Sequence, residues 1–176
     1  SLDKIIVAPL LGFALLGNYQ LALQFVALLY IIPGMLFSYI LSHDASGNST
    51  KLIKQIIVII SVIFAILSII LSPIIIPLLF PTFTEAIMLI QIMSVSIIPS
   101  AIASTYISKY LGLEKSKIVI IGSGLYLSTQ IISIIILAMM YGINGVGVSI
   151  VISAFIHMTY FVVIERFLKN HNKWNN

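Results

Sequence analysis

The chain has 176 residues, 60% of them hydrophobic and 8% charged, with a net charge of +4 and a mean hydropathy of +1.18. A water-soluble domain carries about 25% charged residues, so the composition excludes an ordinary soluble globule, and with it a reading of the positive charge as a nucleic-acid footprint. There is no cysteine, which removes disulfide frameworks, thiolate metal sites and thiol nucleophiles.

The chain opens on Ser1-Leu2-Asp3-Lys4 without an initiator Met and reads as a piece of something longer. The apolar run 5–16 is too short to cross a bilayer core of roughly 30 Å, which takes about 20 residues of helix. It is expected to be the second half of a transmembrane helix, with Asp3 and Lys4 within or near the membrane. Gly17-Asn18 is expected to be a tight turn. Five longer uncharged runs follow: Tyr19–Ser42, Gln55–Phe80, Ala86–Ser108, Ile118–Tyr141 and Ile143–Ile164. Each is long enough to span.

Lipid leaves no water for exposed backbone groups, so spans are helices or closed barrels. Barrel strands run about 10 residues with alternating polarity. These runs are over twice that length and do not alternate, so they are expected to be helices in spite of their many Ile and Val residues. The expected fold class is all-α: a polytopic membrane helix bundle of five complete spans plus the end of a sixth, forming one membrane domain with a tail at 165–176.

The connections alternate in charge. Lys51 and Lys54, then Lys109, Lys115 and Lys117, then Arg166, Lys169 and Lys173 fall on one set of alternate connections. Gly17-Asn18, Pro81–Glu85 and Gly142 carry no cation. Because basic connections stay cytoplasmic, the C-terminus is expected on the cytoplasmic side of the cell membrane and Gly142 on the outer side.

Polar groups at membrane depth face a bundle interior or a cavity. Ser96, Ser100, Ser104 and Ser108 recur every four residues, beside Pro99. Gly145, Ser149, Ser153 and His157 do the same in the last run, and Gly122, Tyr126, Gln130 and Ser133 mark one face of the fourth. Two readings stand for these stripes: close helix packing through small residues, or the polar wall of a wet cavity. Gln24, Gln91 and Gln130 are candidates for interhelical hydrogen bonds or for cavity lining. His157 is either a hydrogen-bonded neutral side chain or a proton-sensitive switch. Pro33-Gly34, Pro73 and Pro77 are expected to bend their helices. The substrate- or cavity-lining candidates are therefore Asp3, Lys4, Gln24, Gln91, Ser100, Ser104, Lys109, Tyr126, Gln130 and His157. No hydrolytic constellation, metal cluster or cofactor motif occurs in the sequence, so an enzyme is not expected.

Several motifs, in order, carry a resemblance. Asp3-Lys4-Ile5-Ile6 and Gly12 lead to Leu16-Gly17-Asn18-Tyr19 and Ala22. Leu78-Leu79-Phe80 to Phe83 precedes a helix rich in small residues. Tyr110-Leu111-Gly112-Leu113-Glu114-Lys115-Ser116-Lys117 is a short basic turn, and Tyr141-Gly142-Ile143-Asn144-Gly145-Val146-Gly147 a glycine-rich one. In this order they resemble the polysaccharide and O-antigen flippases of the multidrug/oligosaccharidyl-lipid/polysaccharide exporter superfamily. The resemblance implies the C-terminal lobe of a two-lobed transporter, with an N-terminal lobe of the same polypeptide as partner. It also implies an isoprenoid-pyrophosphate-linked oligosaccharide as substrate, moved across the bilayer by alternating access. Lys4 and Lys109 are the residues the resemblance offers to the pyrophosphate, and Asp3 to a coupling ion. Two other expectations remain open: another exporter of the same superfamily, for drugs or lipid II, and a non-transporting membrane scaffold or channel subunit.

Overall fold

The computed structural model describes residues 12–45 and 51–173. Among these it contains helices and no strand. They are α1 (Phe13–Leu29), α2 (Ile31–Ala45), α3 (Lys51–Leu79), α4 (Ala86–Ser94), α5 (Ile97–Gly112) and α6 (Ser116–Lys173). The Ile- and Val-rich runs are helical because hydrocarbon leaves the backbone no other partner than its own chain. Three helical stretches are long and apolar enough to cross a membrane: Lys51–Leu79, Ala86–Gly112 and Ser116–Asn170. A fourth is formed if the bent pair α1–α2 counts as one span.

Prolines set the internal breaks. A proline removes the N–H that would bond the carbonyl four residues earlier and crowds that carbonyl. Pro33 disables Leu29, where α1 ends, and α1 and α2 meet at 47°. Pro99 disables Val95, where α4 gives way to α5. Pro73 and Pro77 lie inside α3, which continues through both.

The expected turn at Gly17-Asn18 is not there. Helix α1 runs through both residues and starts just after Gly12, whose φ of 84° is open to glycine at little cost. Gly17 serves packing instead: a methyl group there would sit 3.2 Å from the Phe83 ring.

Helix α6 is 58 residues long but does not run straight. Gly142 leaves helical geometry at φ 59°, ψ −139°, and the chain doubles back on itself. The Tyr160 hydroxyl lies 3.1 Å from the carbonyl of Ile118; in one straight helix the two residues would be about 63 Å apart. Gly122 meets Tyr160 and Phe161, and Gly145 sits directly against the Leu137 carbonyl. A side chain at Gly145 has no room, which is why the two arms close tightly just past the turn.

The segment α4–α5 is the hub. Helices α1, α3 and α6 pack on α4, and α2, α3 and α6 pack on α5. More than half of its most apolar stretch, 56%, is buried, against 28% for α3. Helix α3 presents one narrow inner face, Ile57, Ser61, Ala65, Ser68, Ser72 and Ile76. Its remaining surface is exposed Ile and Leu, including Ile59, Ile63, Ile70 and Ile74. Small polar residues inside and branched apolar ones outside is the arrangement of a helix solvated by lipid, where close approach rather than apolar burial drives packing.

Candidate functional site

Many of the described charges gather at the end of the bundle where α5 closes and α6 begins and finishes. Lys109, in the last turn of α5, directs its Nζ at both Glu165 oxygens, 2.6 and 2.7 Å away. The Tyr110 hydroxyl donates to Glu165 Oε2 at 3.1 Å, and Lys169, one turn on, reaches Oε1 at 3.2 Å. Glu165 is 7% exposed. A carboxylate so enclosed is tolerable only with its charge countered and its lone pairs occupied, and two cations and a phenol meet that need. Nothing in the residue pattern had singled out Glu165. Its place one residue beyond a long apolar run reads as ordinary interface polarity, and the partner is 56 positions away.

Above this cluster runs a column of rings. Tyr110 and Tyr106 stack on Phe161 at 6.1 and 6.5 Å. His157 follows at 5.0 Å from Phe161, with Tyr126 at 5.2 Å from His157. The structure thus brings together two of the candidates, Tyr126 and His157, as ring neighbours across the two arms of α6. The His157 Nε2 is buried and has no hydrogen-bond partner among the described residues.

The other candidates are dispersed. Asp3 and Lys4 lie outside the described residues. Gln24 is exposed on α1, and Gln130 is half-buried on the first arm of α6. Gln91 donates from Nε2 to the Ile69 carbonyl at 3.0 Å. That carbonyl is the one Pro73 deprives of its helical donor, so the side chain of one helix repairs the backbone of another. Ser104 donates to the Ala101 carbonyl of its own helix at 2.7 Å, and Ser100 is half-buried one turn earlier. In the last arm, Ser149 and Ser153 are fully buried and donate to Val146 and Ser149 carbonyls at 2.6 and 2.7 Å. Gly147 lies against Leu89 and Ile92. At the level of Ser149 and Ser153 this stripe is buried within the protein.

A further small-residue face, Ser61, Ala65, Ser68 and Ser72 on α3, is legible by spacing alone but carried no expectation. Ser68 and Ser94 meet across α3 and α4 with their hydroxyls 2.6 Å apart. Ser94 gives its one proton to the Ile90 carbonyl at 2.7 Å, so Ser68 is the donor between them.

No protein-family model matches the sequence, and neither a curated protein nor a solved structure is significantly similar to it.

Proposed function

We propose that the chain is the C-terminal lobe of a flippase carrying isoprenoid-pyrophosphate-linked oligosaccharide across the cytoplasmic membrane by alternating access. In this reading the spans number five: the bent pair α1–α2 in place of the expected 19–42, then 55–80, 86–108, 118–141 and 143–164, with the end of a sixth ahead of them. The basic connections and the C-terminus face the cytoplasm. A polar sugar head cannot enter hydrocarbon cheaply, so a protein must offer it a wet route while the lipid tail stays in the bilayer. The missing lobe supplies the other wall.

The observation that carries the reading is that two resembling motifs coincide with turns of positive φ. Tyr110–Lys117 contains Glu114 at φ 58°, and Tyr141–Gly147 contains Gly142 at φ 59°. That coincidence of both motifs with turns supports the reading. The test is complementation: a strain lacking its own lipid-linked oligosaccharide flippase receives the full-length gene. Restored surface glycan supports the reading, and no glycan from a membrane-inserted, full-length product rejects it.

One observation favours a second reading, an exporter of the same superfamily with a different cargo. Lys109, the cation nearest the inner mouth among the described candidates, is already neutralised by Glu165. Export of a cationic drug by the full-length protein, without glycan complementation, would select that reading.

A further inference from the structure

Between the two arms of α6 lies a groove of about 390 Å³, with Leu125 on one side and Phe155, Ile156, Thr159, Tyr160 and Val163 among the residues of the other. Its two polar side chains turn their hydroxyls away: Thr159 donates to the Phe155 carbonyl at 2.8 Å and Tyr160 to the Ile118 carbonyl at 3.1 Å. An occupant has nothing to hydrogen-bond and must be hydrocarbon. The far end of the groove is different. Arg166 continues the Thr159 and Val163 stripe at helical spacings of seven and three residues and is exposed. Lys117 is exposed next to Ile118, the residue that Tyr160 binds. Neither cation has an acidic partner among the described residues, whereas Glu165 is taken by Lys109 and Lys169. Around this end Lys109, Lys115, Lys117, Arg166 and Lys169 outnumber Glu114 and Glu165, five against two.

We propose that this groove binds one acyl chain of an anionic phospholipid, with the lipid phosphate held between Arg166 and Lys117. The dry walls take the chain, and the unpaired cations at its mouth select the headgroup. Each such cation near a membrane surface contributes about a fivefold preference for an anionic lipid.

The test is native mass spectrometry of the full chain, released from detergent after equilibration with equal amounts of dioleoyl phosphatidylglycerol and dioleoyl phosphatidylcholine. The protein is expected to retain phosphatidylglycerol preferentially. Arg166→Gln and Lys117→Gln should each lower that preference about fivefold. Ile156→Trp, which fills the groove, should lower retention of both lipids. Equal retention of the two lipids by the unaltered protein would overturn the proposal, as would a preference that survives both neutralising substitutions together. Displacement of the lipid by millimolar inorganic phosphate would also overturn it, since the site would then be a free-anion site. The readout is independent of transport, so it stands or falls separately from the flippase reading.

Discussion

The Gln91 side chain donates to the carbonyl of Ile69, the acceptor that Pro73 leaves without a helical donor. Helix α3 therefore carries two prolines without ending, because α4 supplies from outside one of the hydrogen bonds lost inside. An acceptor left unpaired where lipid rather than water surrounds it costs about 1–3 kcal/mol. Gln91→Leu is expected to lower stability in detergent by an amount in that range. In a Pro73→Ala background, where the backbone donor is restored, the same substitution should cost less than half as much. Equal losses in both backgrounds, measured by denaturant unfolding, would show that the Gln91 bond does not compensate for Pro73.

Lys109→Met should leave Glu165 enclosed with one cation fewer. Lys169 and Tyr110 remain, and Lys109 is itself partly exposed, so the expected loss is about 1–3 kcal/mol, below that of a fully buried pair. The double variant Lys109→Met/Glu165→Met should recover most of it, because removing both charges removes the desolvation burden together with the attraction. Unfolding midpoints of the two single variants and the double variant check this.

The arms of α6 give a distance prediction. Leu125 and Ile156 line the same groove, yet along one straight helix they would be about 46 Å apart. With no native cysteine in the chain, Leu125→Cys/Ile156→Cys is expected to cross-link within one polypeptide using a short bis-maleimide. A pair that stays unlinked while both thiols remain reactive would contradict the reversal at Gly142.

Glycines that allow close approach should differ in what they tolerate. At Gly145 a methyl group meets the Leu137 backbone, which cannot step aside; at Gly122 it meets the Tyr160 and Phe161 rings at 2.8 and 2.9 Å, which can rotate. Gly122→Ala is expected to cost about 1–3 kcal/mol, as overpacking does. Gly145→Ala should cost more and separate the arms near the turn. Thermal stability of the two variants side by side decides the order.

The helices and their apolar exteriors were legible in the sequence because run length overrides β-propensity once lipid is the solvent. Gly142 was legible as a turn because it parts two apolar runs, each long enough to span. Gly17-Asn18 misled for an instructive reason. The pair has turn chemistry, but in a membrane helix a glycine serves equally as a docking notch, here for Phe83. The prolines were legible as bends; that Pro73 leaves the Ile69 carbonyl without a donor and that Gln91 answers it required knowing which helices adjoin. Glu165 stayed hidden for the same cause. Its significance comes from Lys109 and Tyr110 across an interface, and single-chain spacing carries no record of that neighbour.

The reversal at Gly142 has a mechanical consequence. With one residue as elbow and Gly145 wedged against Leu137, neither arm can slip a turn along the other without opening the joint. A tilt of one arm would therefore have to carry its twin, and the Lys109–Glu165 clasp ties the open ends of both arms to the hub.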